Sequence, residues 1–396
     1  MGNGAGNGNG RRPCVGLVLP GGGARGAYQI GVLKAIAEIA PGARNPFPVL
    51  SGISVGAINA AALGCACRDF QAGVRWLSDL WAGLRCHDIY RTDFGTLVRS
   101  SVAWFLALTL GGLGPANPRS FLDTGPLAGL LERELDFSRL AAAIEEGALR
   151  GLAVTASSYA TGRAVTFFQG ADSTLEWERM RRDGQRAGLA VDHLMASSAM
   201  PFIFPPWRIG REYFGDGALR LAAPLSPAIH MGAERLLVIG VRDIGRDRPP
   251  PASAPVRHPT MGDLGGYVLD ILTSDNLDAD VERATRINET VSLLGPEQRS
   301  RTALRPIDIK VIRPSRDLRE VTARHLDEMP AMLAILMRGL GASASRARLA
   351  SFLMFEPPYL RELMELGYRD GLARRDELAG FLALDATPAD QTAAPI

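Results

Sequence analysis

The sequence predicts an α/β fold with a mostly parallel central sheet. Residues 14–19 (CVGLVL) and 47–53 (FPVLSGI) are short apolar runs, which is typical of strands buried on both faces. Residues 26–40 lie between them and carry apolar side chains at helical spacing. Breaks at residues 20–23 and 41–42 separate the three elements. A strand, a helix and a second strand in this order predict two parallel neighbours joined by a right-handed crossover.

The rest of the chain continues with helices and short strands. We expect helices over residues 67–84, 125–135, 137–149, 191–199 and 260–288. A turn at Thr161-Gly162 joins the first two of the expected strands, which cover residues 152–156, 164–168, 212–214, 235–241 and 307–312. From Asp317 onward the pattern is helical, with interruptions at Pro330, Gly339 and Pro357-Pro358.

The composition is that of an ordinary globular protein. The chain has 396 residues, of which 46% are hydrophobic and 22% charged. This length allows one large α/β domain with an appendage, or two domains. The net charge is +2, so we expect no nucleic-acid partner, because nucleic-acid binding calls for a basic surface.

The N-terminus and the cysteines favour a cytoplasmic protein. We expect residues 1–13, which begin with a Gly/Asn tract, to be a flexible tail and not a signal peptide. The spacing of the four cysteines does not match a metal site. Buried, reduced thiols are the better interpretation, and they favour a reducing compartment. These cysteines are Cys14, Cys65, Cys67 and Cys86.

No apolar run reaches the ~20 residues that a membrane-spanning helix needs. The longest run covers residues 102–113. It predicts either the end of a core helix or an interfacial patch near a lipid-binding mouth. We therefore expect no membrane span, and at most peripheral contact with a membrane.

The most informative motif is GISVG at residues 52–56. It has the form of a nucleophile elbow, in which a serine lies on a sharp turn between a strand and a helix. Val49-Leu50 ends the preceding strand, and the helix-forming run 57–63 follows. The sequence therefore predicts Ser54 as a nucleophile, with Gly52 and Gly56 allowing the turn.

A second motif, GGGARG at residues 21–26, follows the first strand and opens a helix. Successive glycines let several backbone N–H groups point at one spot, where the helix dipole also favours an anion. That anion is either a phosphate or the oxyanion of an acyl-transfer intermediate. Because parallel neighbouring strands end at the same edge of a sheet, this loop should lie beside Ser54.

The Gly-rich motif also matches the dinucleotide fingerprint G-x-G-x-x-G. A dinucleotide-binding domain needs an acidic residue at the end of the second strand. Residues 45–60 contain no Asp or Glu, and the serine motif stands there instead. The chain also lacks the Gly-Lys-Ser/Thr of a Walker A loop. Both nucleotide-binding interpretations are therefore disfavoured.

A nucleophilic serine needs a base, and the best candidate is Asp216. It lies in FGDGA, residues 214–218, after a short strand and between glycines. Its pKa would have to be raised by burial, and residues 201–207 (PFIFPPW) could supply apolar surroundings that exclude water. None of the histidines lies in such a setting: we expect helix capping or packing for His193, a loop position for His258 and a solvated helix face for His325.

Four motifs together resemble the patatin-like phospholipase family in order and spacing, over about residues 14–315. They are residues 21–26, 52–56, 196–201 with Phe204-Pro205, and 216–218. The resemblance implies a three-layer α/β/α sandwich and a Ser-Asp dyad of Ser54 and Asp216, without metal or cofactor. It also implies an oxyanion hole in the Gly-rich loop and supporting residues around it. These residues are Gly21, Gly22 and Gly23 for the hole, and Arg25, Gly52, Gly56 and Gly217 in support.

The resemblance further implies a lipid acyl hydrolase that works through an acyl-enzyme. Its expected partner is an acyl lipid such as a phospholipid or lysophospholipid. The family often has Asp-Gly-Gly where this chain has Ala218 as the third residue, which leaves the dyad intact. We expect residues 14–315 to form the catalytic domain and residues 316–396 a helical region packed on it or appended to it.

Two alternatives remain open. A Ser-His-Asp esterase of the α/β-hydrolase type would need a histidine after the last strand, where His325 is the formal candidate. A non-catalytic protein that binds lipid or acyl groups would keep the same fold.

Overall fold

The computed structural model describes residues 13–91, 120–242, 258–272, 276–339 and 346–382. The apolar run 102–113 therefore lies outside the described residues, as does most of the predicted tail. The strands are β1 (Val15–Leu19), β2 (Val49–Ile53), β3 (Gly151–Ser158), β4 (Ala164–Gly170), β5 (Trp177–Arg179), β6 (Arg182–Arg186), β7 (Trp207–Ile209), β8 (Glu212–Asp216), β9 (Arg235–Ile239) and β10 (Asp308–Ile312).

The helices are numbered along the same residues. The first eight are α1 (Gly26–Ile39), α2 (Val55–Cys65), α3 (Phe70–Gly83), α4 (Cys86–Ile89), α5 (Gly125–Glu134), α6 (Phe137–Glu145), α7 (Val191–Ser197) and α8 (Ser226–His230). The others are α9 (Met261–Asp270), α10 (Asn276–Ser292), α11 (Pro296–Ser300), α12 (Leu318–Ala323), α13 (Ala331–Gly339), α14 (Arg346–Leu353), α15 (Pro357–Leu372) and α16 (Arg375–Phe381).

One mixed sheet runs through the molecule in the order β10-β9-β1-β2-β3-β4-β6-β5. The five strands from β10 to β3 are parallel to their neighbours, and β3 and β4 form an antiparallel hairpin. β1 pairs with β2 in parallel, with Gly16 opposite Val49. The predicted strand–helix–strand unit is confirmed.

Both faces of the sheet are covered, because alternate residues of its strands enter two separate cores. Leu17 and Leu19 of β1 join a large core with helices α1, α2, α3, α14 and α15, whereas Val18 points into a second core with α8 and α10. This alternation follows from the two-residue period of a strand. The expected three-layer α/β/α sandwich is what the structure shows.

Helix α15 crosses α1 at very close range. A Cβ atom on Gly31 would lie 1.9 Å from the carbonyl oxygen of Met364, and one on Gly367 would lie 2.2 Å from that of Tyr28. The Tyr28 hydroxyl also donates a hydrogen bond of 2.9 Å to Asp370. The C-terminal helix thus packs on the first helix of the α/β core, while a domain division at residue 315 stays a prediction.

Three short strands, β5, β6 and β7, were not predicted. Residues 177–179 (WER) and 182–186 (RDGQR) are largely polar and lack the apolar alternation of a half-buried strand. Their pairing with neighbours makes them strands: β6 adds to β4, and β5 forms the edge of the sheet. Charged side chains on an edge strand also discourage further pairing.

The close crossing of α15 and α1 predicts that alanine changes the free energy of unfolding in opposite directions at two helical glycines. Gly367→Ala should lower the free energy of unfolding by about 1–3 kcal/mol, because the methyl group would overpack the contact with α1. Gly380→Ala, in α16 with no atom within 4 Å of the new Cβ, should raise it by about 0.5–1 kcal/mol through helix propensity. Urea unfolding of both variants measures this, and equal effects would contradict the close contact.

Candidate active site

Ser54 occupies the turn between β2 and α2, as the sequence predicts. Its backbone has φ 54° and ψ −130°, which is an unfavourable conformation for a residue with a side chain and costs on the order of 1–3 kcal/mol. The residue is 8% exposed. The chain therefore holds this serine in a strained turn at the edge of the sheet where parallel strands end.

Glycine is required on both sides of this turn. A Cβ atom on Gly52 would lie 2.3 Å from the carbonyl oxygen of Gly56, and one on Gly56 would lie 2.0 Å from that of Leu19. Any larger residue would push α2 away from β1. The two glycines of the motif thus let the helix begin directly against the neighbouring strand.

Ser197 fixes the backbone of the turn. The Ser54 N–H donates a hydrogen bond of 2.9 Å to the Ser197 hydroxyl, which donates one of 2.7 Å to the carbonyl of Thr155 on β3. All three residues are buried. Ser197 belongs to the motif at residues 196–201, but this role was not predicted from the sequence. A serine in a helix gives no local signal of a distant partner.

Asp216 reaches Ser54 through the register of the sheet. Ile53, the last residue of β2, pairs with Thr155, and Asp216, the last residue of β8, pairs with the next residue, Ala156. β2 runs parallel to β3 and β8 antiparallel to it. The two strands therefore meet end to end on one side of β3, so Ser54 and Asp216 are brought together.

The Asp216 carboxyl is fully buried. Its Oδ1 accepts a hydrogen bond of 2.9 Å from the N–H of Ala218, whereas no described donor is in standard hydrogen-bond geometry with Oδ2. Burial raises the pKa to about 6, against opposing effects of the Ser54 hydroxyl and the Ala218 N–H. The Ser54 hydroxyl thus lies close enough to the carboxyl to lower its pKa, outside standard hydrogen-bond geometry.

Neighbouring residues hold Asp216 in place. Its backbone N–H donates a hydrogen bond of 2.9 Å to the carbonyl of Ala199. Gly217 then begins a short 3-10 turn packed against Thr155. The segment with Ser197 and Ala199 is therefore bonded to the backbones of both Ser54 and Asp216.

The Gly-rich loop lies next to the serine. A Cβ atom on Gly21 would lie 3.0 Å from that of Ser54, and Gly23 opens a 3-10 turn that leads into α1. The N–H groups of Gly21, Gly22 and Gly23 donate no hydrogen bond to any residue that the structure describes. They are available to a ligand at Ser54.

Arg25 ties this loop to elements far away in the sequence. Its buried guanidinium donates to the Ser351 hydroxyl at 3.0 and 2.7 Å and to Asp270 Oδ1 at 3.0 Å. It also lies 3.7 Å from the ring centroid of Phe352. Arg25 was expected from the sequence to be a supporting residue. Its partners in α9 and α14 were not predicted, because they belong to no recognisable motif.

An apolar cleft opens at Ser54. The Ser198 hydroxyl in its wall is buried without a hydrogen-bond partner in the described chain, and Glu134 contributes a carboxylate. Most of the wall is aliphatic or aromatic, as in sites for apolar ligands. The lining residues are Gly23, Ser54, Val55, Ile58, Ala62, Leu77, Leu80, Trp81, Leu84, Ile89, Leu127, Leu130, Leu131, Glu134, Leu135, Ser198, Phe204 and Phe355.

No histidine belongs to this described lining. His193 accepts a hydrogen bond of 3.1 Å from the N–H of Ala190 and packs on Phe167, in line with the predicted capping and packing. The expectation of a solvated His325 is wrong: its side chain is 13% exposed, because Glu328 and Glu362 contact its two ring nitrogens. This arrangement disfavours a Ser-His-Asp triad.

The described ranges contain no cluster of three or more His, Cys, Asp or Glu side chains that could hold a metal ion. All four cysteines are buried, and burial raises the pKa of Cys65 and Cys86 to about 12. No helix in these ranges has the length and apolar character needed to cross a bilayer.

Comparison with solved structures gives distant similarities. VipD from Legionella pneumophila matches 92% of this chain and 67% of its own, with 14% identity and a TM-score of 0.33. Human GIVD cytosolic phospholipase A2, in complex with methyl gamma-linolenyl fluorophosphonate, matches 94% of this chain and 59% of its own, with 14% identity and a TM-score of 0.42.

A sequence relative matches one short segment. The lysophospholipase nte1 of Aspergillus terreus is 52% identical to this chain over 54 residues. These residues make up 13% of this chain and 3% of the relative. The chain thus corresponds to only a small part of that protein.

A protein-family model covers the candidate site. The model described as patatin-like phospholipase matches residues 17–229, which is more than half of the 396 residues. The match spans the Gly-rich loop, the serine turn, the segment around Ser197 and Asp216. The chain belongs to the patatin-like phospholipase family.

Proposed function

We propose that the protein is a serine acyl hydrolase that cleaves the carboxylic ester bonds of phospholipids, lysophospholipids or related acyl lipids. One observation carries the proposal: a strained serine lies beside a buried carboxylate with an unpaired oxygen, at the opening of an apolar cleft. Membership of the patatin-like phospholipase family supports it. The segment shared with a protein named lysophospholipase points the same way.

Asp216 is the base in this mechanism. A carboxyl with a pKa of about 6 is ionised at neutral pH, yet accepts a proton more readily than an ordinary carboxylate. Oδ2 takes the proton from the Ser54 hydroxyl as the oxygen attacks the ester carbonyl. The N–H groups of Gly21, Gly22 and Gly23 donate to the resulting oxyanion.

The intermediate then breaks down in two stages. The ester C–O bond cleaves, and Asp216 returns its proton to the leaving alcohol, which leaves the acyl group on Ser54. Water attacks this acyl-enzyme while Asp216 accepts one of its protons. The fatty acid departs, and the proton passes back to Ser54.

The cleft defines a path for the acyl chain. Val55, Ile58 and Ala62 line it and lie on one face of α2, since they are three and four residues apart. Ala62 is eight residues beyond Ser54, which is roughly 12 Å along the helix. With C–C bonds of about 1.5 Å, an extended chain advances roughly 1.3 Å per carbon, so the distance from Ser54 to Ala62 corresponds to about nine carbons.

A second candidate function is lipid binding without catalysis, because the same cleft suits a carrier. The unpaired Oδ2 of Asp216 beside a strained Ser54 favours catalysis, since a carrier gains nothing from this costly pair. Labelling with a fluorophosphonate probe separates the two functions. A hydrolase should be labelled at Ser54, and an unlabelled wild-type protein would favour the carrier.

The dyad predicts that two substitutions each abolish hydrolysis. Ser54→Ala and Asp216→Asn should lower kcat for a short-chain ester by about 10³-fold or more, as the loss of a nucleophile or its base does elsewhere. Ser292→Ala and Asp172→Asn, which change exposed residues, are the matched controls and should retain activity. Full activity in either dyad variant would exclude the mechanism.

The pKa of Asp216 predicts the pH profile. Because the base must be ionised, kcat/KM, which reports the free enzyme, should fall about tenfold per pH unit below roughly pH 6 and level off above pH 7. Stopped assays between pH 4.5 and 8.5 measure the profile, with recovery of activity at pH 8 as the control for unfolding. A midpoint near pH 4, the ordinary value for Asp, would show that burial does not tune this base.

The acyl path predicts a substitution that shortens the preferred chain. Ala62→Phe, or the milder Ala62→Leu, should lower kcat/KM at least tenfold for esters longer than about eight carbons. Hydrolysis of the butyrate ester should change less than threefold and shows that the variant is folded. Ala279→Phe, at an exposed position of α10, is the control, and parallel losses for short and long chains would contradict the path.

A further inference from the structure

Helix α9 has an exposed face that is entirely apolar. Its exposed residues include Met261, Leu264, Tyr267 and Val268, which are 73%, 47%, 59% and 50% accessible, and Ile271 just after the helix is 37% accessible. Gly265 is the other exposed position of α9. At about 100° per residue, the five side chains fall within an arc of roughly 120°. We call these five side chains the α9 stripe.

The two acidic residues of α9 are engaged elsewhere. Asp263 caps the helix, where its carboxylate accepts bonds of 2.9 Å from the N–H and the hydroxyl of Thr260. Asp270 is buried and pairs with Arg25 at 3.0 Å. The stripe therefore presents no charge, whereas an exposed helix of a soluble protein normally has a polar outer face.

The opposite face of α9 is joined to the candidate active site. Asp270 holds Arg25, which belongs to the Gly-rich loop. Leu272, two residues after the helix, packs against the small cluster that contains Ile53 and Ala218. Ile53 directly precedes Ser54, and Ala218 donates its N–H to Asp216. The stripe is thus the outer surface of an element that contacts the neighbours of both dyad residues.

We propose that the α9 stripe docks on a lipid surface and so brings the cleft to its substrate. This inference rests on the proposed function, because the substrate of a lipid hydrolase is assembled in membranes or micelles. A short helix whose apolar side chains enter the headgroup boundary is a known mode of interfacial binding. Because Leu272 connects the stripe to the neighbours of Ser54 and Asp216, docking would place the candidate active site close to the lipid surface.

The size of the stripe favours lipid over a second protein. A ten-residue helix is roughly 15 Å long and 10 Å wide, so one face of it covers a few hundred Å² at most. A stable protein interface buries about 800 Å² on each partner and has a polar rim with hydrogen bonds. The stripe has neither the area nor the polar groups, but a bilayer requires neither.

The test uses the full chain and vesicles of phosphatidylcholine. The double variant Leu264→Ser/Val268→Ser should reduce the vesicle-bound fraction at least tenfold in a flotation assay, with a similar loss in hydrolysis of vesicle lipid. Its activity on a water-soluble short-chain ester should stay within twofold of wild type. Leu293→Ser is the matched control, since Leu293 is 86% accessible outside the stripe, and it should bind as wild type does.

A substitution that should increase vesicle binding strengthens the test. Leu264→Trp should increase the bound fraction, because tryptophan favours the membrane interface. Unchanged vesicle binding by the double serine variant would overturn the proposal. A shift from dimer to monomer in that variant, measured by size-exclusion chromatography, would overturn it too by assigning the stripe to a second copy.

The two proposals can fail separately. If wild type binds vesicles but hydrolyses neither vesicle lipid nor a soluble ester, the proposed function fails while docking stands. If it hydrolyses soluble esters and the stripe variants bind vesicles as wild type does, only the docking proposal fails.

Discussion

Strand β3 is the part of the fold on which the candidate site depends. It pairs with β2 up to Thr155 and with β8 from Ala156 onward, so a parallel and an antiparallel strand meet end to end. A slip of one residue in either register would reverse which face each side chain points to and would separate Ser54 from Asp216. The Ser197 hydroxyl reinforces the same junction, because it joins the Ser54 N–H to the Thr155 carbonyl.

The site is also assembled from parts of the chain that lie beyond its motifs. The family match ends at residue 229, yet the buried Arg25 is held by Asp270 and Ser351. Removing a partner from a buried charge is costly, so α9 and α14 help to determine the shape of the Gly-rich loop. The C-terminal helices therefore support the loop as well as the α/β core.

The parts of the structure that could be predicted from the sequence are those with a local signal. The turn at Ser54 lies between an apolar strand and an Ala-rich helix, and glycines flank Asp216, so both were found from a few neighbouring residues. The partners of Arg25, the role of Ser197 and the exposed face of α9 depend on contacts between distant segments. Strands β5 to β7 are short, and they are either polar or at an edge of the sheet. They are strands because they pair with neighbouring strands, and no sequence pattern indicates them.

The burial of Asp216 has a consequence for the stability of the protein. A pKa that rises from 3.8 to about 6 on folding means that the folded chain binds this proton more tightly than the unfolded chain. Above pH 6 the ionised carboxylate therefore costs the fold roughly 3 kcal/mol, and this cost disappears as the pH falls toward 4. At this site mild acid removes the proposed base and the cost of its buried charge in the same pH range, so protonation of Asp216 does not by itself destabilise the fold.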